Sequence, residues 1–187
     1  MPQRKESYAR HVSLVLIGGG ARSGKSRYAE ARALQLPGAK AYVATAQAFD
    51  DEMRERIAAH RAARDPAFDL HEEPREVPSL LMRLAEPVVL VDCLTLWLSN
   101  LLLADLSDGA VEGAFDALEH ALAQRRGTTL LVTNEVGLGI VPASALGRRF
   151  RDHAGRLHQR LASRADEVVL AALGLCLRLK PGPVEVV

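Results

Sequence analysis

The sequence predicts an α/β protein built on a mostly parallel sheet with helices on both faces. Two patterns carry this reading. Short, continuous apolar runs recur along the 187 residues, as "SLVLIG", "KAYVATA", "PVVLVD" and "TTLLVTNEV". Strands covered on both faces read as such runs, without alternation. Segments of helical spacing separate them, as right-handed parallel crossovers require. A third observation is a glycine-rich turn that joins the first apolar run to the first helical segment.

The elements follow in order. The first strand spans 13–18 and stops at glycines. A helix over 25–36 ends at Pro37–Gly38. A β-branched strand covers 40–46. The segment 49–64 opens with acidic residues and places Met53 and Ile57 on one helical face. Prolines and charges over 65–79 predict a loop with at most a short strand. A short helix at 77–85, a strand at 87–92 and a helix at 94–106 come next. An amphipathic helix over 111–126 is closed by Gly127, and a strand fills 128–136.

The long helix 144–165 carries an apolar stripe of Leu146, Phe150, Ala154, Leu157 and Leu161. Arg149, His153, Arg156 and Arg160 lie on another face. That face is expected to be solvated, or to supply counter-charge to a triphosphate or a neighbouring subunit. Strands at 166–173 and 175–180 are too close for a crossover helix, so they pair antiparallel near the C-terminal edge. The tail 181–187 has no assignment. The expected organisation is a polar N-terminal tail, 1–13, and one domain, 14–187, without repeats or a linker.

Composition narrows the function classes. Lys and Arg number 24 against 23 Asp and Glu, which gives no field suited to nucleic acid. Cys93 and Cys176 are the two cysteines, too few for a disulfide framework and in keeping with a cytoplasmic setting. The start of the chain lacks the apolar stretch of a secretion signal. The run 88–106 is long enough for a membrane span, but Asp92 and Asn100 interrupt it. An Asp at the centre of a span costs roughly 3 kcal/mol, so a buried strand and helix are expected instead.

Gly19, Gly20, Ala21, Arg22, Ser23, Gly24, Lys25 and Ser26 match the phosphate-binding pattern G-x-x-x-x-G-K-[ST] between a strand and a helix. In that P-loop pattern, glycines turn backbone N–H groups toward phosphate oxygens and the helix N-terminus adds a positive end. Lys25 then reaches the terminal phosphates and Ser26 ligates Mg²⁺. Asp92, at the end of an apolar strand, is a candidate for the metal-side acid. Thr133, Asn134 and Glu135 end another strand and are expected to face the same crevice, with Glu135 a candidate base or water-orienting group.

Glu52, Arg56, His60 and Arg64 are four apart, which lines them along one helical face. By spacing they form either a solvated ion-paired face or a histidine nucleophile between two phosphate-binding guanidinium groups. Spacing does not choose between these.

Six stretches resemble a known family in its order and spacing: "GGARSGKSRYAE", "YVATAQAFDDEMRERIAAHR", "VDCLTLWLSNLL", "TNEVGLGIVP", "RRFRDHAGRLHQRLA" and "ADEVVLAALGLCLRLK". The family is that of the bifunctional adenosylcobinamide kinase / adenosylcobinamide-phosphate guanylyltransferases of cobalamin biosynthesis. The likeness extends over 14–180. It implies a P-loop NTPase, RecA-like mostly parallel sheet flanked by helices. It implies phosphorylation of adenosylcobinamide by ATP or GTP, then transfer of GMP from GTP to adenosylcobinamide phosphate. It further implies a guanylylated histidine at His60, Mg²⁺, and a homotrimer with sites near subunit interfaces. Where the family commonly carries Trp and Thr after that histidine, this chain has Phe68 and Leu70, and Pro66 is displaced by one residue. The readings that compete are a small-molecule kinase without the guanylyl step and a RecA-like NTP-binding module. The absence of an N-K-x-D motif argues against a Ras-type GTPase.

Overall fold

The structure is a computed structural model that describes residues 13–48, 50–62 and 64–187; of Arg56 and His60 it describes the backbone. The expected tail thus lies almost wholly outside the described residues. In chain order the elements are β1 (Leu14–Gly19), α1 (Lys25–Leu34), β2 (Lys40–Ala44), α2 (Asp51–Ala62), β3 (Phe68–Glu72), α3 (Val77–Arg83) and β4 (Val88–Asp92). There follow α4 (Leu94–Leu103), α5 (Asp108–Gln124), β5 (Thr128–Asn134), α6 (Ala145–Arg164), β6 (Glu167–Ala172), β7 (Leu175–Lys180) and β8 (Glu185–Val186).

The strands form a sheet of order β3-β2-β4-β5-β1-β6-β7-β8. The pairings from β3 to β6 are parallel, and β6–β7 and β7–β8 are antiparallel. The expected antiparallel C-terminal pairing is present, and β8 adds one more short strand outside it. Two apolar layers cover the sheet. One, under α3 to α6, holds Leu81, Trp97, Leu98, Phe115, Leu118, Leu157 and Leu161. The other, under α1, holds Ile17, Ala29, Ala33, Tyr42, Phe68 and Leu90.

The apolar run 88–106 divides as strand and helix, and among the described residues no helix is long and apolar enough to cross a membrane. Its polar member Asn100 is buried because it ties two loops together. Its Nδ2 donates to the carbonyls of Thr45, at 2.7 Å, and Pro74, at 2.9 Å. Trp97, on the same helix, donates from Nε1 to the Arg75 carbonyl at 2.7 Å.

Three expectations need correction and one is met: the short strand allowed within 65–79 is present as the five-residue edge strand β3. It buries Phe68 and half-buries Leu70 between polar residues, which is the alternation of a strand with one covered face. The helix expected from 111 begins at Asp108, because Ser107 caps it by accepting from the Ala110 N–H at 3.3 Å. Leu146 is 46% exposed and is not part of the buried stripe of α6.

The third correction concerns the basic face of α6, which stays partly exposed but is paired, and so is not free to neutralise a triphosphate. It packs on the acidic face of α5. Arg149 and His153 meet Asp108, Arg156 meets Glu112, and Arg160 meets Glu112, Asp116 and Glu119. His153 is buried among them, its ring edge-on to Phe115.

Candidate active site

The turn between β1 and α1 has the shape its glycines allow. Gly24 has φ 95°, the left-handed region that favours glycine, and it caps α1. A Cβ on Gly19 would lie 2.4 Å from the Ala171 carbonyl oxygen and 2.6 Å from Ser23 Oγ, so a side chain there would push the turn away from β6. Lys25 is buried, and its Nζ donates to the Gly20 carbonyl at 3.1 Å, folding the ammonium back over the turn.

A pocket opens beside this turn at the carboxyl ends of the strands, as expected for an open α/β sheet. Lys25, Ser26, Asp92 and Asn134 contribute its polar floor, and Tyr42 and Cys93 line it as well. From α2, Met53 and Ile57 form an apolar flank, and Arg61, Arg64 and Glu72 stand at the rim. Asp92 ends β4, two strands from β1.

Tyr42 positions Asp92. Its hydroxyl donates to Asp92 Oδ2 at 2.9 Å. Burial, and then the nearby Asp92 charge, push the phenol above its ordinary range, so it stays a donor. The Arg64 guanidinium lies 3.8 Å over the Tyr42 ring. Its Nε is shut off from solvent and has no hydrogen-bond partner among the described residues. Arg64 is therefore close to the pocket but not on the helix, since α2 ends at Ala62. The four-apart face of Glu52, Arg56, His60 and Arg64 does not run unbroken. The backbones of Arg56 and His60 are on α2, while their side chains lie outside the described residues.

The residues ending β5 part company. Asn134 lines the pocket, and its Nδ2 donates to Thr95 Oγ1 at 2.9 Å. Thr95 is buried and also meets Cys93 Sγ at 3.1 Å. Thr133 Oγ1 instead meets His158 Nε2 of α6 at 2.7 Å. Glu135 shapes the next turn, where both its carboxylate oxygens accept from the Gly137 N–H, at 3.0 and 2.9 Å, and one also from Leu138. Phe68 lies in the core, its ring edge-on to Tyr42 at 5.7 Å, so exchange of an indole for a phenyl there acts through packing.

Sequence reasoning did not single out Tyr42, Arg61, Glu72 or Thr95. Tyr42 reads as one more apolar strand residue in "KAYVATA", and its hydroxyl gives no local signal. Arg61 and Glu72 form an ion pair between α2 and β3 that exists only once β3 is placed.

A phosphate-cradling turn between a central strand and a helix, with a carboxylate ending a strand two places away, defines a P-loop nucleotide-binding protein. The chain belongs to the family described as "Cobinamide kinase / cobinamide phosphate guanyltransferase", which it matches over residues 15–179. It is 48% identical over 170 residues to the "Bifunctional adenosylcobalamin biosynthesis protein CobP" of Pseudomonas aeruginosa, covering 90% of this chain and 98% of that protein. It is 39% identical over 181 residues to the "Bifunctional adenosylcobalamin biosynthesis protein CobU" of Salmonella typhimurium, covering 89% of this chain and 99% of that one. The fold resembles that in the crystal structure of the RadB recombinase, with TM-score 0.50 and 17% identity over 89% of this chain and 79% of the other. That likeness speaks for the RecA-like fold alone.

Proposed function

We propose that this protein phosphorylates adenosylcobinamide with ATP or GTP, then transfers GMP from GTP to adenosylcobinamide phosphate, giving adenosylcobinamide-GDP and pyrophosphate. The observation that carries the reading is the 48% identity to a bifunctional relative over almost its whole length. The pocket that gathers Lys25, Ser26, Asp92 and Arg64 supports it.

In both reactions the turn from Gly19 to Ser26 holds the triphosphate through backbone N–H groups and the positive end of α1. Lys25 leaves the Gly20 carbonyl to bind the terminal phosphates. Ser26 and Asp92 line the same pocket and offer hard oxygen donors of the kind Mg²⁺ takes. Bound there, Mg²⁺ supplies positive charge to the phosphates. Tyr42 fixes the Asp92 carboxylate for that task. Asp92 is the stronger candidate for the acidic group, because the Glu135 oxygens are engaged by the 137–138 turn.

In the guanylyl step a ring nitrogen of His60 attacks the α-phosphorus of GTP. The N–P bond forms as the bond to pyrophosphate breaks. A phosphate oxygen of adenosylcobinamide phosphate then attacks the same phosphorus, the N–P bond breaks, and His60 is regenerated. Arg56 and Arg64 bind the phosphate oxygens. One phosphate site serves both reactions in turn.

The domain spans 14–187 and works as a homotrimer in the cytoplasm. Leu138 and Ile140 are 89% and 97% exposed and, with Val141, offer an apolar surface for a subunit contact. Cys93 and Cys176 are free thiols, as a reducing compartment keeps them.

The experiment is a time course with adenosylcobinamide, GTP and Mg²⁺, its products separated and weighed by mass spectrometry. The monophosphate appears first and the GDP adduct second, with one pyrophosphate released per adduct. Accumulation of the monophosphate alone would reduce the protein to a kinase.

A further inference from the structure

On the sheet face opposite the pocket, β3 and the turn before β4 bring together three side chains that ligate metals. Asp69 and His71 alternate with Phe68 and Leu70 along β3, so they share one face. His71 is in register with Val43, one residue along from the pocket residues Tyr42 and Ala44. His71 Nε2 lies 3.3 Å from Asp69 Oδ2. Glu86 comes from the turn between α3 and β4. One donor atom from each lies within 4.8 Å of the other two, and among the described residues no other set of His, Cys, Asp or Glu does so.

A separate observation points to a ligand. The atoms His71 Nε2 and Glu86 Oε2, on partly exposed side chains, are shut off from solvent and make no hydrogen bond among the described residues, the Asp69 carboxylate at 3.3 Å being the charged neighbour of Nε2. An unsatisfied buried polar atom costs about 1–3 kcal/mol, and native structures hold few of them. Here two, from different elements, belong to the same cluster. The supports are rigid. β3 is held to β2 along its whole length. The Glu86 turn is pinned by Arg125, which donates to the carbonyls of Leu81, Leu84 and Glu86 at 2.9, 3.1 and 2.7 Å.

We propose that Asp69, His71 and Glu86 form a site for a divalent transition-metal ion of the zinc class, which fastens the edge strand β3 to the α3–β4 turn. The donor set decides the class. An imidazole with two carboxylates suits Zn²⁺, Co²⁺ or Ni²⁺ and is a poor match for Mg²⁺ or Ca²⁺. Three protein ligands leave a fourth position for water. The donors must close to about 2.0–2.2 Å from the ion. Asp69, with its side chain 68% exposed, has the freedom to do so. The ion is structural, and its binding does not need nucleotide, since it sits across the sheet from the pocket.

The test is a titration of the chelator-treated, full-length protein with Co²⁺ in excess Mg²⁺, read by visible absorption and melting temperature. A single equivalent should raise the melting temperature and give the absorption bands of a low-coordinate Co²⁺ site. Both effects should vanish in His71→Gln and weaken at least tenfold in affinity in Glu86→Gln. Should His71→Gln fail to fold, Glu86→Gln, in a turn, carries the comparison. Absence of the bands in the parent protein, or bands unchanged in both variants, would overturn the site. Neither variant alters a residue placed in the nucleotide pocket. GTP binding measured on the same samples therefore separates failure of this proposal from failure of the enzymatic reading.

Discussion

The hydroxyl of Tyr42 donates a hydrogen bond of 2.9 Å to Oδ2 of Asp92. A strand residue that reads as core thus holds the carboxylate at the tip of the neighbouring strand. A hydrogen bond to a charged acceptor contributes about 1.5–3 kcal/mol. In Tyr42→Phe the ring keeps its place under Arg64 while the bond is lost. Steady-state kinetics should show kcat for both reactions falling about tenfold, with KM for GTP changed less than about threefold. An unchanged kcat would leave Tyr42 as a packing residue.

Asn100 explains how a polar residue survives inside the apolar run of α4. Its amide serves two carbonyls, the buried one of Thr45 and the partly buried one of Pro74. Asn100→Ala strands both and leaves a small cavity. Unfolding in urea should show a loss of about 2–4 kcal/mol. A loss under about 0.5 kcal/mol would mean that water replaces the amide.

The α5–α6 seam makes stability depend on acid. The hydrogen bond from His153, and then that from Arg149, hold the Asp108 carboxyl at about 2, against an ordinary 3.8. A group whose folded-state pKa is lowered contributes fully above its ordinary pKa and loses that contribution as pH falls through the folded value. Asp108→Asn should therefore melt below the parent at neutral pH, by an amount that added salt reduces. The gap should close as pH drops from about 4 toward about 2. A gap independent of pH would assign the effect to packing.

Much of the fold was legible because its signals are local. The spacing from Gly19 to Ser26 between an apolar strand and a helix needs no tertiary knowledge. The buried strands are continuous apolar runs, and 88–106 divided at Asp92. The hidden parts depend on pairing. β3 is an edge strand with one covered face, and between Pro66 and Pro74 its alternation reads as no more than a short strand within a loop. The basic face of α6 was read without its partner, although Asp108, Glu112 and Asp116 are themselves four apart on α5. Matching the two stripes would have found the seam. Glu135 and Asn134 are adjacent in sequence, and nothing local tells that one shapes a turn while the other faces the pocket. Arg64 continued the spacing of α2 on paper, but the helix ends two residues before it.

The central claim is that the phosphate cradle serves nucleotidyl transfer through His60. It is tested most directly by incubating the protein and Mg²⁺ with GTP labelled at the α-phosphate, in parallel with GTP labelled at the γ-phosphate. Label on the protein is followed through acid and base, with His60→Ala alongside. The account predicts an α-label that is acid-labile, base-stable and absent from His60→Ala. An unlabelled protein that still moves the γ-phosphoryl group to adenosylcobinamide would contradict it.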